Sequence, residues 1–278
     1  MQTIRDLAAL RAAAAAARAD GGLALVPTMG ALHEGHLALV REAKRRARHV
    51  AVSIFVNPTQ FGPGEDLDAY PRREDEDLAL IAAEGASIAW LPDAATMYPD
   101  GFATSIRVGG PAEGLCGAAR PGHFDGVATV VAKLFNQVGP DVAVFGEKDY
   151  QQLAVIRRLV ADLNFAIDII GLATVREADG LARSSRNAYL STEDRARAAA
   201  LPATLDACAA RIVAGDPVTG VLHDGIAALR AAGFASVDYL ELRDATTLVP
   251  VTTLAAPARL LVAARIGVTR LIDNIAVG

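Results

Sequence analysis

The sequence predicts an α/β fold: a parallel sheet flanked by helices, followed by a smaller C-terminal α+β unit. Two observations carry this reading. Short apolar runs alternate with longer helix-periodic segments through the first two-thirds of the chain, and such alternation builds parallel sheets with helices on both faces. Near Thr174 the texture changes to helical runs and then to three β-rich stretches. The expected division is therefore residues 1–174 and 175–278, in keeping with a length of 278 residues.

Taken in order, residues 3–19 read as an Ala-rich helix, and Leu23–Val26 as a buried strand stopped by Pro27 and Gly30. His36–His49 sets apolar Leu37, Leu39, Val40 and Ala43 against a basic face, so it reads as a helix. Val50–Val56 is a second strand, and a Gly/Pro-rich loop runs from Asn57 to Pro71. Glu74–Asp77 open another helix, where acids suit the positive end of the helix dipole. Ile88–Leu91, Val142–Phe145 and Ala166–Ile170 are further strands, with Val127–Val138 and Tyr150–Leu163 helical between them. In the second unit, helices are expected at Thr192–Val213 and Val218–Ala232, and strands at Ser236–Leu242, Arg259–Ile266 and Arg270–Val277.

Composition narrows the function classes. The chain is 52% hydrophobic and 21% charged, which predicts a sizeable core. A net charge of −5 lacks the basic field of nucleic-acid binders, so no nucleic-acid partner is expected. No apolar run reaches the roughly 18 to 20 residues of a membrane span, so no membrane partner is expected either. Cys116 and Cys208 stand alone without metal-like spacing, which predicts a reducing compartment, the cytoplasm, and no disulfide framework.

Ligands of parallel sheets sit beyond the carboxyl ends of the strands. Three polar clusters fall there: Pro27–His36, Asn57–Gly64 and Gly146–Asp149. The glycine spacing Gly117–Gly122 imitates a phosphate loop, but His123 and Phe124 replace the Lys and the Ser or Thr, and no strand leads directly into it. His33 and His36, three apart at a helix start, share one face where backbone N–H groups already attract anions. Gly30 and Gly35 would allow a ligand close to the backbone there. A zinc site is disfavoured, because the pair is not four apart and no third ligand is evident. Lys148 can meet phosphate, and Asp149 can hold a phosphate-bound Mg²⁺. Gln60 and the pair Gln151-Gln152 offer amides suited to a hydroxylated carboxylate. Ser184-Ser185-Arg186 offer two hydroxyls and a guanidinium fork for phosphates. Arg72, Arg73 and Arg120 are further candidates with nothing to separate them from solvated charges.

Four long motifs then coincide. Pro27-Thr28-Met29-Gly30-Ala31-Leu32-His33-Glu34-Gly35-His36, Phe55-Val56-Asn57-Pro58-Thr59-Gln60-Phe61, Phe145–Gln152 and Arg176–Asn187 together resemble the pantoate–β-alanine ligase (pantothenate synthetase) family, whose first motif is of the HIGH type. The resemblance spans the chain nearly end to end. It implies a Rossmann-like nucleotide- and pantoate-binding domain under a smaller covering domain. It also implies a reaction in two steps, with pantoate and ATP giving pantoyl-adenylate and β-alanine then giving pantothenate and AMP. By the same resemblance ATP is contacted by Met29, Gly30, Ala31, Leu32, His33, Glu34, Gly35 and His36, by Gly146, Glu147, Lys148 and Asp149, and by Val175, Arg183, Ser184, Ser185 and Arg186. Gln60 and Gln152 would hold pantoate, and Gln60 also lies near β-alanine. The catalytic set would be His33, His36, Lys148, Ser184, Ser185 and Arg186, with His36 as the acid. Mg²⁺ with ATP and a cytoplasmic homodimer complete what is implied. Arg183 stands where the family commonly has Met or Leu before the paired serines.

Overall fold

The computed structural model describes residues 1–278. Six strands form one all-parallel sheet: β1 (Gln2–Ile4), β2 (Leu23–Thr28), β3 (His49–Ile54), β4 (Ile88–Trp90), β5 (Val142–Gly146) and β6 (Asp168–Leu172). Their spatial order is β1-β4-β3-β2-β5-β6. The chain winds outward from β2 to β3 and β4, then crosses back to place β5 on the other side of β2. The order thus reverses between β2 and β5, and there the loops at the strand ends diverge to leave a crevice.

Burial on both faces explains why β2 reads as one continuous apolar run. Leu23 and Leu25 point into the core shared with α1 (Leu7–Ala19), α6 (His123–Val138) and α7 (Tyr150–Asp162). Ala24 and Val26 point the other way, against Leu39, Val40 and Ala43 of α2 (Glu34–Arg46) and Ile81 of α3 (Glu74–Ala83). Short helices α4 (Ala94–Met97) and α5 (Leu115–Ala119) lie in the long β4–α6 connection.

The expected helix over residues 3–19 is corrected at its start. Gln2–Ile4 pair with Ile88–Trp90 as an edge strand, and the Asp6 carboxylate then caps α1 by accepting from Ala9 N at 2.8 Å. The segment 192–213 is likewise two helices, α8 (Thr192–Ala198) and α9 (Ala200–Val213). Pro202 lacks an N–H and its ring crowds the carbonyl of Ala198, so one helix cannot run through it.

Beyond residue 172 the chain builds a separate three-stranded antiparallel sheet, β7 (Ser236–Asp244), β8 (Ala258–Ile266) and β9 (Thr269–Val277). Helices α9 and α10 (Val218–Ala231) cover it, burying Leu205, Val221, Leu229, Leu260 and Val262 in a core of its own.

Candidate active site

The crevice is built first by the turn after β2. Thr28 ends the strand by donating its hydroxyl to Ser53 O at 2.7 Å. Gly30 and Ala31 follow with φ of +80° and +51°. This left-handed bend is held from below by Asp77, whose carboxylate accepts from Ala31 N at 2.8 Å and Leu32 N at 2.7 Å. Asp77 is 2% exposed, and burial raises its pKa above the ordinary carboxylate value, partly offset by these two N–H donors. A Cβ on Gly30 would lie 2.9 Å from Asp77 Oδ2, so the close approach this glycine permits is to Asp77. In the sequence Asp77 is one of several acids at a helix start. Only the fold separates it from its exposed neighbours Glu74, Asp75 and Glu76.

His33 caps α2. Its Nδ1 accepts from Gly35 N at 3.1 Å, while His36 Nδ1 accepts from His33 N at 3.3 Å. An Nδ1 that accepts carries no proton, so each neutral ring bears its proton on Nε2. The two rings stack tilted with centroids 4.1 Å apart. Burial and then the Lys148 and Arg183 charges lower the His33 pKa to about 4. Burial and then His33 lower that of His36 to about 3. Near neutral pH both are therefore uncharged N–H donors.

The β3 loop supplies the opposite wall. Buried Asn57 donates to Gln60 Oε1 at 3.1 Å and to Gly126 O at 3.3 Å, and accepts from Tyr98 OH at 2.7 Å. With Oε1 engaged, Gln60 presents its Nε2 donor, which lies 2.9 Å from Met29 Sδ. A Cβ on Gly126 would come within 2.3 Å of Thr59 O, so only glycine lets α6 seat under this turn. His123 Nε2 accepts from Arg120 at 2.9 Å, which leaves its Nδ1–H to donate to Gln60 O at 2.8 Å. Burial and then Arg120 lower the His123 pKa to about 4. Neither Arg120 nor His123 announces this role in the sequence, because their partner lies about sixty residues away.

The third wall follows β5. Lys148 and Asp149 face the cleft with Nζ 3.6 Å from Oδ2. Burial alone would raise the Asp149 pKa, but Lys148 and Arg186 outweigh it, so the carboxyl is held below its ordinary value. The second sheet fastens this turn from behind. Asn274 on β9, 2% exposed, donates through Nδ2 to the carbonyls of both Glu147 and Lys148 at 2.9 Å. Arg259 on β8 fixes that amide by donating to Asn274 Oδ1 at 2.6 Å and pairs with the Glu147 carboxylate at 3.0 Å. Asp273, buried beside it, takes both arms of Arg176 at 2.7 and 3.0 Å.

The cleft gathers Met29, His33, Gly35, His36, Gln60, Gly146, Lys148, Asp149, Gln152, Val175, Arg183, Ser184, Ser185 and Arg186. Gly30, Ala31, Leu32, Glu34 and Glu147 do not line it. Glu34 is exposed and pairs with Arg41, while Glu147 is spent on Arg259. Of the adjacent glutamines only Gln152 reaches the cleft. Gln151 is 5% exposed and ties the α5 loop, accepting from Cys116 N at 3.0 Å and donating to Pro111 O at 3.0 Å. Arg73 stays on the surface, and Arg72 braces the carbonyls of Leu67 and Tyr70 at 3.2 and 3.3 Å. A second cavity opens beside the first, under the β8–β9 hairpin, and shares Arg120, His123, Lys148 and Arg186 with it. The residues 117–122 that imitate a phosphate loop include the end of α5 and do not follow a strand.

A parallel sheet with its crevice at the strand-order reversal, an N-terminal His-x-x-His helix and a cationic far wall define a nucleotide-binding α/β enzyme of the HIGH type. The family model described as pantoate-beta-alanine ligase matches residues 2–276. The chain is 61% identical to the pantothenate synthetase of Sphingopyxis alaskensis over the whole of both chains. It superposes on the crystal structure of pantothenate synthetase from Thermus thermophilus with a TM-score of 0.93, at 49% identity and 99% coverage of each. A pantoate-beta-alanine ligase from Francisella tularensis, crystallised with beta-gamma ATP and beta-alanine, superposes with a TM-score of 0.83 at 32% identity, covering 99% of this chain and 97% of that one. The chain belongs to the pantoate–β-alanine ligase family. No helix is long and apolar enough to cross a membrane.

Proposed function

We propose that this cleft condenses pantoate with β-alanine at the expense of ATP, through pantoyl-adenylate. One observation carries the residue assignment: two neutral imidazoles, the Lys148 and Arg186 cations and the Gln60 and Gln152 amides line a single crevice. The amide side suits pantoate. Gln60, oriented by Asn57, offers a donor to its oxygens, and Gln152 lies alongside. The cationic side suits the triphosphate.

In the first step a pantoate carboxylate oxygen attacks the α-phosphorus, the bond to the β-phosphate oxygen breaks, and pyrophosphate leaves. The enzyme's task is alignment and neutralisation of charge on the phosphate oxygens, which Lys148, Ser184, Ser185 and Arg186 supply with His33 and His36. We read the two histidines as neutral hydrogen-bond donors rather than as a protonated acid, because burial and neighbouring cations depress both. In the second step the uncharged amine of β-alanine attacks the acyl carbon near Gln60, AMP leaves with the bonding pair, and the amine sheds a proton. The unit 175–278 is proposed to cover the cleft and keep water from the acyl-adenylate.

No cluster of three or more His, Cys, Asp or Glu side chains assembles a metal site. Asp149 is the carboxylate at hand, and a single carboxylate fits Mg²⁺ that takes its remaining ligands from phosphate oxygens and water. When bound, the ion would neutralise charge on the polyphosphate. A cytoplasmic homodimer belongs to the same reading, and light scattering after size exclusion tests the dimer. For the reaction itself, pyrophosphate release is expected to require pantoate, and AMP release to require pantoate and β-alanine together. Pyrophosphate release indifferent to pantoate would sink the assignment.

A further inference from the structure

Two guanidinium forks of the cleft, Arg120 and Arg186, are taken by consecutive carboxylates of the β3–α3 loop. Glu65 grips Arg120 at 2.7 and 2.6 Å, and Asp66 grips Arg186 at 3.1 and 2.9 Å. The two pairs differ in kind. Glu65 also accepts from Gly62 N at 3.2 Å, and Arg120 is further tied to His123, so that pair knits the loop to α6. The Asp66 carboxylate has Arg186 as its sole hydrogen-bond partner. The loop stays fastened to the 184–189 segment without it, through Tyr70 OH to Ser185 Oγ at 3.5 Å and Tyr189 OH to Ala69 O at 3.4 Å.

A fork that receives a carboxylate side-on presents the same edge that phosphate oxygens would use. It can serve one bidentate acceptor on that edge at a time. The Asp66–Arg186 pair is partly open to solvent, with side chains 27% and 32% exposed, so it is modestly held and exchangeable. We infer that Asp66 is a specificity-determining residue that competes with polyphosphate for Arg186, weakening the grip on ATP and on the departing pyrophosphate. A ligand of high charge displaces Asp66; once the α–β bond is broken, Asp66 retakes the fork and helps pyrophosphate leave. Only polyphosphate binding is taxed, since Asp66 and Arg186 hydrogen-bond neither Gln60 nor Gln152, the amides read as meeting pantoate.

This inference rests on the reading that Arg186 contacts the phosphates. The test uses Asp66→Asn, Asp66→Ala, Arg186→Ala and the Asp66→Asn/Arg186→Ala double variant in the full chain. The KM values for ATP and pantoate and the inhibition constant of pyrophosphate are measured for each. Asp66→Asn is expected to lower the ATP KM and the pyrophosphate constant by about two- to fivefold, the range of a partly exposed ion pair, with the pantoate KM unchanged. In the Arg186→Ala background the same change is expected to do nothing. If both Asp66 variants raise the KM of ATP and pantoate together, or leave pyrophosphate inhibition where it was, Asp66 is a loop anchor and the inference falls. If Arg186→Ala leaves ATP and pyrophosphate untouched, the phosphate reading of Arg186 fails instead.

Discussion

At the scale of single residues, the cleft works by fixing which atom of each group is free. His33 and His36 spend Nδ1 on backbone N–H groups and Gln60 spends Oε1 on Asn57, so each is left with a donor. Removing the His36 donor by His36→Ala is expected to slow adenylate formation by about two to four powers of ten, measured in a single turnover. Near-normal chemistry in the folded variant would remove His36 from the mechanism. Gln60→Ala is expected to raise the pantoate KM more than the ATP KM, and equal losses would contradict its place on the pantoate wall. The motif residues were legible because their types announce phosphate or hydroxyl chemistry. Asp77 and Asn274 were not, since an acid at a helix start and an amide in a strand carry no signal until the fold supplies their backbone partners.

Among elements, the strand ends bring the parts together, and a few contacts set their precision. Asn274 reaches from β9 to hold the turn after β5. Asn274→Ala is expected to lower kcat/KM for ATP by roughly tenfold to a hundredfold through loss of alignment at Lys148. The pantoate KM should stay put; an equal rise in both KM values would point to general loosening instead. Gly126→Ala drives a methyl into the Thr59 carbonyl and is expected to cost about 1–3 kcal/mol in denaturant unfolding. An unchanged midpoint would show that α6 can slide away. Strands β2 to β5 were legible because burial on both faces leaves continuous apolar runs, and β6, half-buried at the sheet edge, keeps an apolar run of its own. The edge strand Gln2–Ile4 was not, since only Ile4 of its three residues is buried and the segment gains its state by pairing with β4. Nor could the sequence tell Gln151 from Gln152, because the loop that claims Gln151 is fixed by tertiary packing alone.

For the whole molecule, buried imidazoles shape the response to acid. His33, His36 and His123 have folded pKa values of about 4, 3 and 4, against an ordinary 6.5. Between those values the unfolded chain binds protons that the folded chain refuses, so stability falls as pH drops from about 6.5. Thermal melting is expected to decline already between about pH 6.5 and 5, above the range where carboxylates titrate. Replacing His123, the one of the three that supports Gln60 from outside the proposed catalytic set, with Gln should shallow that slope; a slope that does not change would place the acid sensitivity elsewhere. The parallel sheet and the smaller β-rich unit after it were legible at this scale, while the joining of the two sheets through Asn274 was not. That joining also orders events during synthesis. Every histidine and glutamine of the cleft has been made once Gln152 is in place, yet the amide that steadies Lys148 arrives only with Asn274, 126 residues after it. Competence is therefore expected to arrive abruptly once β9 has joined its sheet, rather than in proportion to length.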